Sequence, residues 1–201
     1  MGVGSITNEN ARFVKQYGSP EALLEMGIRA AAAVGSPVVS CRIGSFRDRY
    51  TGGGIGPKIE KAVRVMKSQR EKALEHGLKF AFENHAGDLR TDELIGLIEE
   101  TGPEVCGALF DPSNAAWAME DPMESMVKLG SRIICTSVRD FNLWEMEDGA
   151  AFQNTVIGKG LMDYNLVMKH MAEKCPGVPL HIETITPEIR TIPYLEPGFW
   201  E

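Results

Sequence analysis

The sequence predicts an α/β protein in which parallel strands alternate with helices, and two observations indicate this class. Short apolar runs alternate along the chain with segments whose apolar residues recur at the helical period. The predicted strands that begin at Leu78, Val105 and Ile133 also start 27 and 28 residues apart. That interval is about one unit of a (β/α)8 barrel, given ~250 residues for eight units. The sequence therefore favours a barrel-type parallel sheet with right-handed crossovers.

The first part of the chain supplies the start of this alternation. It contains the end of a strand that runs into a polar loop at 1–12, a helix at 20–34, a strand at 37–44 and a helix at 57–77. Ser19 is a favourable N-cap and Pro20 a favourable first helical residue. The glycine-rich stretch 51–56 matches no nucleotide-binding fingerprint, so we expect a mobile loop there.

The later part of the chain repeats the strand-helix pattern. We predict strands at 78–85, 105–111, 133–140 and 178–185, helices at 91–101, 122–129 and 163–174, and an insertion at 141–162. Glycine or proline follows each of the predicted helices, and the next strand begins within a few residues.

Composition and charge exclude several classes of function. The chain has 201 residues, 43% hydrophobic and 24% charged, which is ordinary for a globular domain. A formal charge of −7 argues against nucleic-acid binding, because nucleic-acid domains usually present a basic face. No secretion signal and no apolar run near ~18 residues is present, so no membrane segment is predicted. We therefore expect a small-molecule partner.

The four cysteines are widely spaced along the chain. Cys41, Cys106 and Cys135 lie in apolar runs, which is typical of buried thiols in a reducing compartment rather than of a disulfide framework or a zinc site. The expected location is the cytoplasm.

Four predicted strands end in polar groups. These are Glu83 with His85, Asp111 with Asn114, Ser137 with Arg139 and Asp140, and Glu183 preceded by His181. The carboxyl ends of parallel strands meet at one edge of the sheet, where ligands bind in barrels. We therefore expect an active site centred on Glu83.

The carboxylates in this set suggest a cation. Glu83, Asp111 and Glu183 would repel one another at one point unless a positive charge neutralised them, and oxygen ligands select Mg²⁺ or Mn²⁺. Taken singly, each has a structural explanation, such as a salt bridge for Glu83 or a turn at Asp111; their coincidence favours a site. Trp117 and Trp144 fit either packing or stacking on a sugar ring.

Five motifs in order resemble the sugar phosphate isomerase/epimerase family of xylose isomerase-like TIM barrels. They are Phe-Glu-Asn-His-Ala-Gly (82–87), Phe-Asp-Pro-Ser-Asn-Ala (110–115), Thr-Ser-Val-Arg-Asp (136–140), Gly-Lys-Gly-Leu-Met-Asp (158–163) and Leu-His-Ile-Glu-Thr (180–184). The resemblance covers roughly 37–185 and is carried by the order of the motifs.

The resemblance implies a metal site and a reaction. Glu83, Asp111 and Glu183 match three of the four family ligands of a divalent metal, Mn²⁺ or Mg²⁺. Glu83 and Glu183 match the acid/base pair that removes and returns a proton beside a ketose carbonyl through a metal-stabilised enediolate. Ser137 stands where the family has its fourth ligand, a histidine. Asn114 stands where several epimerases have a substrate-binding histidine.

The resemblance also implies an incomplete barrel. Aligned to the family, the opening residues correspond to the third strand, so we expect one xylose isomerase-like domain over 1–201 that is truncated at its N-terminal side, with about six of eight strand-helix units. We expect either a fragment or a chain that closes its barrel with a partner chain or in a homo-oligomer.

The expected function is isomerisation or epimerisation of a sugar, keto-sugar or cyclitol. His85, Asn114 and Arg139 are expected to bind substrate hydroxyls. A lyase or dehydratase would use the same enolate chemistry. A noncatalytic carbohydrate-binding or subunit protein is the alternative from another class. An endonuclease is disfavoured, because it would require several zinc histidines and a basic surface.

Overall fold

A five-stranded parallel sheet forms the centre of the molecule. The structure, a computed structural model, describes residues 1–185 and 187–200. The strands lie in chain order and are β1 (Gly2–Ser5), β2 (Val38–Arg42), β3 (Lys79–Glu83), β4 (Cys106–Phe110) and β5 (Ile133–Thr136). This succession of neighbouring parallel strands is the barrel-type architecture that the spacing predicts.

The helices connect these strands and cover one face of the sheet. They are α1 (Ala11–Tyr17), α2 (Pro20–Val34), α3 (Gly56–Ser68), α4 (Arg70–Glu75), α5 (Thr91–Thr101), α6 (Pro112–Trp117), α7 (Pro122–Leu129) and α8 (Tyr164–Lys174). Short 3₁₀ turns occur at Phe46–Tyr50, His85–Gly87 and Gly130–Arg132. Ser19 caps α2 as expected, because its hydroxyl accepts from the Ala22 amide at 3.2 Å.

An antiparallel sheet follows the fifth parallel strand. It consists of β6 (Asp140–Met146), β7 (Gly149–Thr155) and β8 (Arg190–Ile192), in that order. The insertion predicted at 141–162 is thus mainly a β-hairpin, and β8 returns from the end of the chain to pair with it.

Three local features differ from the prediction. The segment 178–185 contributes one parallel bridge, Val138 with Ile182, instead of a full strand. Helices α1 and α6 are additional, and both are too short to show an apolar period. The predicted helix 57–77 is interrupted at Gln69, where the backbone leaves helical geometry between α3 and α4.

The core lies mainly between the parallel sheet and its helices. Phe80, Phe82 and Phe110 are almost completely buried there. The opposite face of the sheet carries a small cluster of Ala81, Leu109 and Cys135. All four cysteines are free and buried, which confirms the prediction of unpaired thiols. In the described chain, no helix has the length and apolar character needed to cross a bilayer.

Candidate active site

The alternation of side chains along three neighbouring strands creates the site. Residues two apart in a strand share a face. Glu83 follows Ala81, Asp111 follows Leu109 and Ser137 follows Cys135, and these three apolar residues form the small cluster. Each polar residue therefore lies beyond an apolar one at the carboxyl end of its strand. Glu83 lies level with Leu109 and Leu109 with Cys135, so Asp111 and Ser137 stand two residues beyond Glu83 at the same end of the sheet.

Three carboxylates converge at this end of the sheet. Glu83, Asp111 and Glu183 each offer one oxygen, and these oxygens lie within 4.8 Å of one another. Asp111 is completely buried, whereas 41% of the Glu183 side chain is exposed. The segment that carries Glu183 is fixed by two backbone hydrogen bonds, one from the Val138 amide to His181 (2.7 Å) and one from the Glu183 amide to Val138 (3.1 Å).

Asp111 is the most constrained of the three carboxylates. Its Oδ1 accepts from the Ser113 amide (2.9 Å) and from Nε of Arg139 (3.0 Å). Its Oδ2 accepts from Nδ2 of Asn114 (3.0 Å) and from Nη2 of Arg139. Every acceptor position of this carboxylate is thus used, and the guanidinium forms a fork-shaped pair with it.

Asn114 links Glu83 to this pair, and Arg139 lies close to Glu183. The Asn114 amide nitrogen also donates to Oε1 of Glu83 at 3.0 Å, and its carbonyl oxygen accepts from Arg139 at 2.9 Å. The Ser137 hydroxyl donates to Oε2 of Glu183 at 2.7 Å. Arg139 lies 3.7 Å from the same oxygen of Glu183. Glu83, Asp111, Asn114 and Arg139 therefore form one hydrogen-bond network. The Ser137–Glu183 pair adjoins this network through the ion pair between Glu183 and Arg139.

Burial and the neighbouring negative charges raise the pKa values of Glu83 and Asp111. Burial, followed by the charge of Asp111, raises the pKa of Glu83 to about 7. Burial raises the pKa of Asp111 to about 6, although Arg139 opposes the shift. The arginine charges close to the cluster do not fully offset three carboxylates, which is the electrostatic situation that a bound cation would relieve.

His85 lies in a turn that is tied to the end of β2. Its Nδ1 donates to the carbonyl of Gly44, and the Gly44 amide donates to Asp88 at 2.9 Å. Burial lowers the pKa of His85. Since Nδ1 carries the proton, Nε2 of the neutral ring is an acceptor. Gly87 is required here because its φ is +74° and a Cβ would lie 2.9 Å from the Trp117 carbonyl oxygen.

A cavity of about 530 Å³ adjoins the network. The three residues predicted to bind substrate, His85, Asn114 and Arg139, all line it. Trp117 also lines it and is 8% exposed, with its ring stacked on Phe46 at a centroid distance of 5.8 Å. Trp117 therefore packs against Phe46 and also lines the cavity. The substrate-binding roles of the three polar residues stay predictions.

Sequence reasoning missed several residues of the cavity wall, and four of them bear on ligand binding. These are Arg47, Phe152, Asn154 and Arg190. Arg47 follows β2 in a 3₁₀ turn, and the others belong to the antiparallel sheet. The only sequence signal was the length of the insertion at 141–162, which shows that extra structure exists without showing where it folds.

The three carboxylates offer oxygen donor atoms, which suit a hard divalent ion. Carboxylate oxygens are the preferred ligands of Mg²⁺ and Mn²⁺. In this network Asp111 would have to exchange at least one arginine contact for the ion. Ser137, whose hydroxyl contacts Glu183, supplies a weaker donor than a histidine.

Two curated relatives match about half of this chain. An uncharacterized protein, YihM of Escherichia coli K12, is 28% identical over 102 residues, which are 51% of this chain and 31% of YihM. The 3-oxo-isoapionate decarboxylase of Pectobacterium atrosepticum is 21% identical over 111 residues, 54% of this chain and 40% of that enzyme. The matched region therefore spans well under half the length of either relative.

Solved structures resemble the fold over most of the chain. A xylose isomerase domain protein from Planctomyces limnophilus has a TM-score of 0.71 at 22% identity and covers 91% of this chain and 62% of its own. A xylose isomerase-like TIM barrel protein from Mycobacterium smegmatis, in complex with magnesium, has a TM-score of 0.69 at 12% identity. The likeness covers 87% of this chain and 62% of that protein. A D-tagatose 3-epimerase-like protein has a TM-score of 0.68 at 19% identity, and the likeness covers 90% of this chain and 67% of that protein. At these identities the likeness concerns the fold.

A family profile covers nearly the whole chain. The profile described as "Xylose isomerase-like TIM barrel" matches residues 21–197, which include the parallel strands β2 to β5 and all three carboxylates. The sheet topology agrees with this match. The chain therefore belongs to the xylose isomerase-like TIM barrel family.

Proposed function

We propose that this protein is a metal-dependent isomerase or epimerase of a sugar, keto-sugar or cyclitol. The observation that carries the proposal is the convergence of Glu83, Asp111 and Glu183 within 4.8 Å beside a cavity of about 530 Å³. Family membership supports chemistry on sugars, because the similar structures include an epimerase-like protein. A cavity of this size is in the range of small-ligand sites.

Glu83 and Glu183 are the proposed acid/base pair. One glutamate removes the proton from the carbon next to the carbonyl, which leaves an enediolate, and the other returns a proton to give the product. Glu83 is held by Asn114, and Glu183 by Ser137, so both carboxylates have fixed positions. When bound to the three carboxylates, Mn²⁺ or Mg²⁺ would supply positive charge next to the carbonyl oxygen.

The remaining polar residues of the wall are assigned to substrate binding. His85 presents Nε2 as an acceptor, and Asn114 and Arg139 line the cavity from the network side. Arg139 also holds Asp111 in place, so its role includes positioning the cluster. The free, buried thiols support the proposal of a cytoplasmic enzyme.

Deuterium exchange tests this proposal. The chain is incubated in D₂O with Mn²⁺ or Mg²⁺ and with D-fructose, D-tagatose or D-xylulose, and incorporation is followed by NMR. We expect metal-dependent exchange at the carbon beside the carbonyl of at least one sugar. Glu183→Gln should abolish it, because an amide cannot accept the proton.

A matched variant separates this effect from a general loss of negative charge. Glu145 is exposed at the tip of the hairpin, and Glu145→Gln should exchange like the parent chain. Isothermal titration with Mn²⁺ supplies the second measurement. Absence of Mn²⁺ binding, or equal binding by Glu183→Gln and the parent chain, would count against the metal-dependent enzyme.

A noncatalytic carbohydrate-binding or subunit protein is the second candidate. It is favoured by Arg139, whose guanidinium already occupies both oxygens of Asp111, and by Ser137 at the histidine position. Sugar binding without metal binding or exchange would support it. A lyase or dehydratase with the same enolate chemistry is supported by the likeness to a decarboxylase, and would release CO₂ or water from its substrate.

A further inference from the structure

The wall of the cavity beside the acidic cluster is basic. Arg47, Arg139 and Arg190 line it, and no carboxylate is among its described lining residues. The chain as a whole carries a formal charge of −7. In an acidic protein, arginines on a cavity wall that are not paired with carboxylates create a local potential opposite to the net charge, and such a potential attracts anions.

Two of these arginines have no close carboxylate partner within the described chain. Arg139 is paired with Asp111, but Arg47 forms no salt bridge within the described chain and instead lies 5.7 Å from the centroid of the Phe46 ring. Arg190 approaches Glu188 only to 3.9 Å, with both side chains more than half exposed. Such a surface pair contributes little. The donors of Arg47 and Arg190 are therefore available to a ligand.

The antiparallel sheet aims a further polar group at the same cavity. Phe152 lies opposite Arg190 in the pairing of β7 with β8, and directly opposite residues share a face of the sheet. Asn154, two residues along β7, lies on that face as well and is 8% exposed. Its Oδ1 is buried and has no hydrogen-bond partner among the described residues. Buried amides normally have one.

We propose that the substrate of this site is an anionic sugar, with its carboxylate or phosphate held by Arg47 and Arg190 and a hydroxyl bound by Asn154. The sugar and its chemistry rest on the proposed function. The anion site itself rests on the cavity wall. Guanidinium groups match the planar geometry of carboxylate and phosphate oxygens, which makes them suited to either group. Asn114 and Arg139 join this cavity to the carboxylates, so the anion would lie away from the reacting end.

Matched pairs of probes measure the preference for charge. D-gluconate is compared with D-glucitol, and D-fructose 6-phosphate with D-fructose, by ligand-observed NMR titration in the presence of EDTA. We expect one anion to bind about tenfold more tightly than its neutral counterpart, the size of effect given by a single charge-assisted contact. The pair that shows the preference distinguishes a carboxylate from a phosphate.

Substitutions locate the preference in the wall. Arg47→Gln and Arg190→Gln should each reduce the ratio of affinities, and the double variant should remove it. Arg190→Lys should retain part of it. Arg64→Gln, which removes the same charge from an exposed position on α3, should leave it unchanged. Asn154→Ala should reduce the affinity for the anion and the affinity for its neutral counterpart by a similar factor.

Two results would overturn the anion site. One is equal affinity for the anionic and neutral members of both pairs, and the other is a preference that survives in a folded Arg47→Gln, Arg190→Gln double variant. The titration contains no metal and measures no turnover. A chain that fails the deuterium-exchange test but keeps an arginine-dependent preference would therefore refute the isomerase and retain the anion site.

Discussion

Ser137 is the residue of the candidate site at which we expect a substitution to add a metal ligand. Its hydroxyl lies 2.7 Å from Oε2 of Glu183, so the side chain points at the acidic cluster. A histidine there would add a neutral nitrogen ligand in place of a weak hydroxyl donor. We expect Ser137→His to tighten Mn²⁺ binding by roughly tenfold, measured by isothermal titration.

A smaller substitution provides the control for this gain. Ser137→Ala removes the hydrogen bond to Glu183 but adds no ligand, so its affinity for Mn²⁺ should not exceed that of the parent chain. If Ser137→Ala gained as much as Ser137→His, release of Glu183 would be the cause instead of a new ligand.

Asp88 makes stability depend on pH. It is completely buried, its Oδ2 accepts from the Gly44 amide at 2.9 Å, and its Oδ1 has no partner among the described residues. Burial raises the pKa of Asp88 to about 8, although the backbone hydrogen bonds oppose the shift. The folded chain therefore retains a proton that an unfolded aspartate loses at about pH 4.

The free energy of unfolding should consequently decrease as pH rises from about 4 to about 8. One retained proton corresponds to a slope of about 1.4 kcal/mol per pH unit. Asp88→Asn has no such proton, so its slope should be smaller by up to this amount. Urea unfolding between pH 5 and pH 8 in EDTA measures both chains. Parallel curves for the two would show that Asp88 ionises in the folded state as it does in the unfolded state.

At the scale of elements, one buried carboxylate holds the loop that follows the hairpin. Asp140 begins β6, and its carboxylate accepts hydrogen bonds from four backbone amides. The donors are Phe141, Gly158, Gly160 and Met162, at N···O distances of 2.9 to 3.2 Å. The Gly-Lys-Gly motif thus has a structural task in this chain. It returns the backbone closely enough to satisfy a buried charge at the end of the parallel sheet.

Gly160→Ala tests this anchor. A Cβ at Gly160 would lie 2.2 Å from Oδ1 of Asp140 and 2.4 Å from the Phe141 carbonyl oxygen. We expect a loss of about 1–3 kcal/mol in the free energy of unfolding, from overpacking against atoms that cannot move freely. Gly96 is exposed within α5 and has open space around its Cα, so Gly96→Ala should stabilise by about 0.5–1 kcal/mol. A neutral Gly160→Ala in urea unfolding would contradict the anchor.

The same elements show what the sequence could predict. Glu83 and Asp111 could be placed at one end of the sheet, because both come at the carboxyl ends of neighbouring parallel strands and alternation fixes the face that each occupies. Asn154 and Arg190 could not, since they reach the cavity only after a hairpin folds back and β8 pairs with it. Helix α6 could not be predicted, because a helix of six residues is too short to show the apolar period of a helix.

At the scale of the whole molecule, the parallel sheet is open on one side. Strand β1 pairs only with β2, and the segment at 178–185 adds one bridge to the far side, so two edges lack partners within the described chain. The chain covers 62% of the length of the similar Planctomyces limnophilus protein. Apolar side chains cluster near the second edge, with Val156 73% and Ile182 68% exposed.

Unpaired edges bordered by apolar surface favour association. We expect the 201-residue chain to self-associate through the edge that carries Ile182, with an average mass in sedimentation equilibrium that rises with concentration. Ile182→Lys should shift the mass toward that of one chain, because a charge at this edge opposes strand pairing. Val34, which is also 68% exposed but lies at the end of α2, offers the matched control, and Val34→Lys should associate like the parent chain. A compact, monomeric particle in solution scattering at all concentrations would show that the open side needs no second copy.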